Sequence, residues 1–320
     1  MRVPPLPDLN ARAVKLVPLA ARASKVTFRD FGRPLSPGAG FKDFADSLPR
    51  FLAASDLQEA ARAIARARAG GRLVALAMGG HPIKVGLGPL IIDLMEKEII
   101  TSLSVNGSVM VHDAEVAMAG QTSEDVSQAI GEGAFGVTGE TGALINRAAQ
   151  DALARGRGLG ESLGDALLAG SFPHARQSVV AQARRLGVPL TVHLTLGADV
   201  YHIHPEADGQ ALGAASFRDF HLFARLVAAL EGGVFLNLGS AVVMPEVFLK
   251  ALSLTRNLGF SQKGMTTVNM DFARQYRPRV NVVERPTQDS GKGYELIGHH
   301  EIMFPLLTLL AQERLRDGDF

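Results

Sequence analysis

Short apolar runs that alternate with helical segments constrain the fold of this chain most strongly. The runs lie at 73–78, 101–105, 189–196, 234–238 and 265–270, and most of them end in glycine or a small polar residue. Such runs are typical of strands that are buried on both faces of a sheet. Because helical segments separate them, we expect parallel pairing and right-handed crossovers. The sequence therefore predicts an α/β fold with an open, largely parallel sheet.

The helices and the domain organisation follow from the same periodicity. Helical spacing predicts helices over 56–69, 90–99, 141–155, 162–169, 175–186, 217–230, 245–258 and 301–316. Residues 1–40 are rich in proline and basic side chains, which predicts an irregular N-terminal arm. Residues 41–320 contain no low-complexity linker, so we expect a single α/β domain there. Its stretch 274–293 is expected to be loop-rich and basic.

Composition excludes several chemistries. The absence of cysteine from the 320 residues excludes disulfides, thiolate nucleophiles, thiolate zinc sites and iron–sulfur clusters. The net charge of +1 creates no field that would favour nucleic acid or an anionic membrane as partner. No segment has the apolar length of a signal peptide or a membrane span. We therefore expect a cytoplasmic protein with a small-molecule substrate.

Glycine and polar residues stand where the predicted strands end. Ligands of parallel sheets bind at this carboxyl edge, where glycine admits a ligand to the backbone and helix N-termini attract phosphate. Neither a Gly-x-Gly-x-x-Gly fingerprint nor a Walker A loop is present, and tight turns alone would also explain the glycines. We interpret the pattern as a nucleotide site. Its candidate cofactor-binding residues are Gly79, Gly80, His81, Asn106, Gly107, Ser108, Gly239, Ser240 and Asp271.

Histidines provide candidates for substrate binding and proton transfer. His202, His204 and Glu206 follow the third strand with a spacing that fits a metal site or, together with Asp199, a substrate pocket. We predict the pocket, formed by Asp199, His202 and His204, and no metal. Histidine titrates near neutral pH and suits general acid–base catalysis. The candidate proton carriers near strand ends and at the start of the last helix are His112, Asp113, His300 and Glu301.

Several motifs occur in an order known from one enzyme family. The run at 73–94 is followed by Leu238-Gly239-Ser240-Ala241-Val242-Val243, Thr266-Thr267, Ser290-Gly291-Lys292 and Phe304-Pro305-Leu306-Leu307. This order resembles deoxyhypusine synthase and its prokaryotic relatives, including homospermidine-type synthases, over residues 70–320. The resemblance implies a Rossmann-like sheet with helices on both faces, NAD as cofactor without the usual glycine fingerprint, and a homotetramer.

The resemblance also implies roles for individual residues. The catalytic lysine of the family corresponds to Lys292, and an acid that contacts NAD and the polyamine corresponds to His112-Asp113. Thr267 joins the cofactor-binding candidates. His299 joins them too, because it stands where the family has an aspartate that contacts the dinucleotide.

The implied function is that of an NAD-dependent aminoalkyl transferase. It would oxidise a polyamine or another primary amine, hold the aminoalkyl group as an imine on Lys292, and deliver it to a small amine or a protein lysine. The tryptophan that precedes the family's lysine is absent, and Met244-Pro245 replaces its Lys-His pair. These departures favour an alternative, a dinucleotide-binding protein of the same fold without synthase activity. A metal-assisted hydrolase that uses His202 and His204 is a third hypothesis.

Overall fold

The computed structural model describes residues 4–320, which form two units that divide between Phe51 and Leu52. The first unit contains three short 3-10 turns and one helix, α1 (Phe41–Ser47), and most of its side chains are exposed. It includes the predicted N-terminal arm, except residues 1–3, which lie outside the described residues.

The second unit alternates strands and helices. Its strands are β1 (Val74–Met78), β2 (Ser102–Asn106), β3 (Leu190–His193), β4 (Val234–Leu238), β5 (Thr266–Asp271) and β6 (Lys292–Ile297). Its helices are α2 (Leu52–Ala69), α3 (His81–Lys84), α4 (Gly88–Glu96), α5 (Gly107–Ala119), α6 (Val126–Ala129), α7 (Gly139–Arg155), α8 (Leu159–Ala169), α9 (Val179–Leu186), α10 (Gly209–Ala228), α11 (Val243–Asn257), α12 (Tyr276–Pro278) and α13 (His300–Asp317).

The strands form one sheet in the order β3-β2-β1-β4-β5-β6, and every neighbouring pair is parallel. From β1 the chain proceeds outward to β2 and β3, then crosses back to β4 on the other side of β1. The sheet therefore has a topological switch point between β1 and β4, where doubly wound folds bind their ligands. The predicted α/β, Rossmann-like fold class is confirmed.

Helices cover both faces of the sheet. On one face, Ala75, Ala77 and Phe235 form a buried cluster with side chains of α10 and α11, in which the Phe235 and Phe248 rings stack at 3.8 Å. Successive strand residues point to opposite faces, so Leu76 faces the other side. There α2 packs against α13 and contacts β1, β4, β5 and β6.

The segment before the last helix differs from the prediction. Residues 274–293 were expected to be loop-rich, but a π-helical turn (Arg279–Glu284) occupies part of them, and β6 begins at Lys292. β6 is an edge strand that pairs only with β5. Its exposed and half-buried side chains, including Lys292, Tyr294 and Glu295, lack the apolar signal of the central strands.

No helix among residues 4–320 combines the length and apolarity that crossing a membrane requires.

Candidate functional site

The turns that follow β1 and β4 meet at the switch point. A side chain on Gly79 would overlap the backbone carbonyl oxygen of Gly239, and Gly79 N donates to Leu238 O. Gly239 has a φ of +62°, and a Cβ there would lie 2.8 Å from Cε1 of His300. Close packing of the two turns therefore requires both glycines, and the same packing brings the start of α13 to the switch point.

A pair of histidines joins these turns. Nδ1 of His81 lies 2.8 Å from Nδ1 of His300, so one of the two nitrogens must carry the proton that the other accepts. The His300 side chain is buried, whereas His81 is half-buried. The ring of Phe272, which follows β5, lies 5.4 Å from the His81 ring and 5.8 Å from the His300 ring.

The surroundings of His300 indicate which of the two histidines carries the proton of their shared hydrogen bond. Burial lowers the pKa of His300, and the neighbouring His81 lowers it further, so His300 is neutral at pH 7. Its Nε2 has no hydrogen-bond partner among the described residues and lies 4.0 Å from Oδ1 of Asp271. A carboxylate favours the tautomer with hydrogen on Nε2, so we assign Nδ1 of His300 as the acceptor and Nδ1 of His81 as the donor. Nε2 of His81 then keeps a free lone pair.

A third histidine, His112, is oriented beside the β1 turn. Thr122 Oγ1 donates to Glu115 Oε2 at 2.5 Å, so it accepts from Nδ1 of His112 at 2.8 Å. This fixes a neutral His112 as the tautomer with its lone pair on Nε2. A Cβ on Gly80 would lie 3.0 Å from Cδ2 of His112 and 2.6 Å from Ser108 Oγ. At the β1 turn, Gly80 therefore packs against His112, and the next residue, His81, contacts His300.

The turn after β2 contains an amide and receives a carboxylate. Asn106 caps α5, because its Oδ1 accepts from Val109 N at 3.4 Å and from Ser108 Oγ at 2.9 Å. Asp199 approaches so closely that a side chain on Gly107 would overlap its carboxylate. Burial raises the pKa of Asp199. In dinucleotide-binding folds a carboxylate at this turn binds a ribose hydroxyl, and Asp199 places one there although β2 itself ends in asparagine.

The Asp113 carboxylate accepts hydrogen bonds from the start of a neighbouring helix. Its buried carboxylate accepts from Ser178 Oγ at 2.5 Å, Val179 N at 2.7 Å and Val180 N at 3.1 Å, at the start of α9. Burial raises its pKa to about 6. The buried carboxylate therefore caps α9, and its predicted catalytic role stays a prediction.

Lys292 and Thr267 lie away from the carboxyl edge. Lys292 is exposed at the first position of β6 and pairs in register with Thr266, while Asp271 pairs with Ile297 at the far end. Five residues of strand separate the two ends by roughly 16 Å. The structure thus separates the predicted imine-forming lysine from the histidine pair. The buried Thr267 lies one position into β5, near the same end as Lys292.

The remaining candidates at the carboxyl edge are His299, Glu301 and Ser240, whose contacts are with residues of their own segments. His299 and Glu301 are exposed beside His300, with 3.9 Å between His299 Nδ1 and Glu301 Oε1. Ser240 Oγ accepts from Met244 N and thereby stabilises the first turn of α11.

The histidines of the loop after β3 accept hydrogen bonds from the backbone of the same loop. Nδ1 of His202 accepts from the N–H groups of Gly197 and Asp199, at 3.2 and 3.3 Å. Nδ1 of His204 accepts from Glu206 N at 3.3 Å, and the Glu206 carboxylate pairs with Arg147. Among residues 4–320 no three histidine or acidic side chains converge in a way that would hold a metal ion.

Sequence reasoning missed a buried amide ladder beside the switch point. Asn237 of β4 donates through Nδ2 to Asn269 Oδ1 at 2.8 Å and to Ser240 O at 2.9 Å. Asn237 Oδ1 and Asn269 Nδ2 have no partner among the described residues. An asparagine at the same register position of two apolar strands was the available signal.

Comparison with known proteins supports the fold. No model of a protein family matches the sequence, and no curated protein matches it in a sequence comparison. The ternary complex of AgrE with ornithine and NAD+ matches with a TM-score of 0.52 at 14% identity, over 82% of this chain and 34% of that chain. Unliganded AgrE matches with a TM-score of 0.53 at 16% identity, over 80% of this chain and 32% of that chain. This chain thus spans about a third of the AgrE chain.

A candidate deoxyhypusine synthase from Entamoeba histolytica also matches, with a TM-score of 0.49 at 11% identity, over 87% of this chain and 95% of that chain. At these identities the two AgrE matches establish a shared fold and do not assign a family. The predicted homotetramer stays a prediction.

Proposed function

We propose that this protein is an NAD-dependent enzyme that oxidises a primary amine, with His81 as the general base. The observation that carries the proposal is the His81–His300 pair at the switch point, where doubly wound folds place the reactive end of their ligands. AgrE, which shares this fold over about a third of its chain, forms a ternary complex with ornithine and NAD+, and this supports both the cofactor and the substrate class.

The residues of the carboxyl edge fit a dinucleotide. Asp199 supplies a carboxylate at the β2 turn for a ribose. Asn237 and Asn269 hold buried polar atoms without partners next to the β4 turn, which is consistent with a polar ligand there. His81 and the exposed ring of Phe272 flank the switch point on the β5 side.

The reaction requires the protein to accept one proton from the substrate ammonium group. Bound NAD+ would accept a hydride from the carbon that bears the amine, so that R-CH2-NH3+ and NAD+ yield R-CH=NH2+, NADH and a proton. The ammonium must lose that proton first, because only the free amine has the lone pair that forms the C=N bond. Nε2 of His81 accepts it, and Nδ1 of His300 holds the His81 ring in the required tautomer.

Transfer through a lysine imine is not part of this proposal. Lys292 lies at the opposite end of β6 from the histidine pair, roughly 16 Å away along the strand. The same observation favours a second candidate function, a dinucleotide-binding protein of this fold without synthase activity.

Purified protein should be titrated with NAD+ by calorimetry and then assayed for NADH formation with putrescine, spermidine, L-ornithine and L-arginine. We expect NAD+ binding, and NADH formation with at least one amine. His81→Gln keeps a donor toward His300 but removes the base, so kcat should fall roughly 100-fold or more while NAD+ affinity is retained. His174→Gln, at an exposed histidine, serves as the matched control.

Binding of NAD+ without NADH formation from any amine would replace this proposal with the non-catalytic candidate. Failure to bind NAD+ would refute both.

A further inference from the structure

A small cavity opens at the carboxyl end of β3. It measures about 270 Å³, and its walls include His193, Leu194, Leu196, Gly213, Phe217 and Phe220. We call it the His193 cavity. His193 is the last residue of β3 and pairs in register with Asn106, so the cavity lies on the β2–β3 half of the sheet. The histidine pair lies on the other side of β2, at the β1–β4 boundary.

His193 presents a single polar atom in this cavity. Thr191 Oγ1 donates to Ser104 Oγ at 2.8 Å, so it accepts from Nε2 of His193 at 3.0 Å. Nδ1 of His193 is therefore unprotonated and has no hydrogen-bond partner among the described residues. The side chain is 3% exposed, and burial lowers the pKa of His193 to about 3, so the ring stays neutral. The cavity thus contains a fixed hydrogen-bond acceptor that cannot become a cation near neutral pH.

The other walls are apolar and aromatic except for Ser216, whose hydroxyl already donates to Val192 O and accepts from Leu194 N. The rings of Phe217 and Phe220 lie nearly parallel, at 16°, with centroids 6.2 Å apart. Phe217 is 62% exposed and Leu196 is 60% exposed, which leaves apolar surface uncovered at the mouth. A cavity of 270 Å³ suits one ring system and not a whole dinucleotide. Aromatic walls with one buried acceptor suit a flat heterocycle that carries an N–H donor.

We propose that the His193 cavity binds the adenine ring of the dinucleotide, with the exocyclic amino group donating to Nδ1 of His193. This inference rests on the proposed function. β3 lies two strands from β1, roughly 10 Å away, a separation that two nucleotides joined by a pyrophosphate can span. The ligand then extends across the switch point, as doubly wound sheets arrange it, and the Asp199 carboxylate lies on its ribose side.

Gly213 offers a test that preserves folding. It lies inside α10, and a Cβ built there meets no atom within 4 Å, so Gly213→Leu fills the cavity and also favours the helix. Gly209→Leu, in the same helix and with the same free space, lies outside the cavity and is the matched control. Phe217→Ala removes one wall at an exposed position.

Calorimetric titrations should use NAD+, ADP, inosine diphosphate and nicotinamide mononucleotide. Gly213→Leu should lower the affinities for NAD+ and ADP at least tenfold and leave the affinity for nicotinamide mononucleotide unchanged. Gly209→Leu should bind all of these ligands as the wild type does. Phe217→Ala should weaken ADP several-fold. Inosine diphosphate, which has a carbonyl in place of the amino group, should bind wild type at least tenfold more weakly than ADP.

Unchanged NAD+ and ADP affinities in Gly213→Leu would overturn the adenine assignment and leave the proposed function intact. Loss of ADP binding in Gly213→Leu, in a protein that binds no NAD+, would support the cavity assignment and refute the proposed function.

Discussion

Replacing Gly239 with alanine tests the close packing at the switch point. Two costs follow from the geometry. The φ of +62° imposes a left-handed backbone on alanine, at about 1–2 kcal/mol. The new Cβ would also lie 2.8 Å from Cε1 of His300, against about 3.4 Å for an ordinary contact, so the imidazole must move by about 0.6 Å. That movement weakens the 2.8 Å hydrogen bond to His81, which is worth about 1 kcal/mol.

Gly187 provides the matched control. It has a φ of +70°, and a Cβ there meets no atom within 4 Å, so Gly187→Ala carries the backbone cost alone. In urea unfolding we expect the free energy of unfolding to fall by about 1–2 kcal/mol more in Gly239→Ala than in Gly187→Ala, since the effect on the unfolded chain is the same for both. NMR titration should show that only Gly239→Ala changes the pKa of His300, because the displaced imidazole alters its contact with His81. Equal losses together with an unchanged pKa of His300 would refute the packing argument.

Two further predictions concern single side chains. Asp199→Asn should lower the affinity for NAD+ roughly tenfold and narrow the preference for NAD+ over NADP+, because a carboxylate both binds a ribose hydroxyl and repels a 2′-phosphate. Calorimetry with both cofactors measures the two affinities. An unchanged ratio of the affinities would contradict the prediction. Burial lowers the pKa of His193 to about 3, below its unfolded value of about 6.5, so the unfolded state binds its proton first as pH falls. The stability advantage of the wild type over His193→Asn should therefore shrink by about 4 kcal/mol from about pH 7 to about pH 3 in urea unfolding, and a constant difference would contradict the assignment.

The central strands were predictable because parallel strands that are buried on both faces must be apolar throughout. The five predicted runs correspond to β1 through β5. β6 escaped prediction because an edge strand is only partly buried, and Lys292, Tyr294 and Glu295 interrupt its apolar character. The misplacement of Lys292 follows from that omission, since a residue expected in a free loop lies at the amino end of a strand.

The site was predictable only in part. Parallel strands place their carboxyl ends at one edge, so the sequence alone located His81, Asn106 and Gly239 on the ligand side of the sheet, whereas His300 was predicted only at the start of the last helix. It did not show which of them meet. His81 and His300 are 219 positions apart, and no local periodicity relates them.

The sequence by itself determined the fold class and the edge of the sheet where ligands bind, because burial and chain direction act locally on each strand. Tertiary structure decided the pairing of His81 with His300, the approach of Asp199 to the β2 turn, and the use of Asp113 as a helix cap. The physical reason is that strand order and helix crossovers set these contacts. They depend on which distant segments pack together and leave no trace in the spacing of residues along the chain.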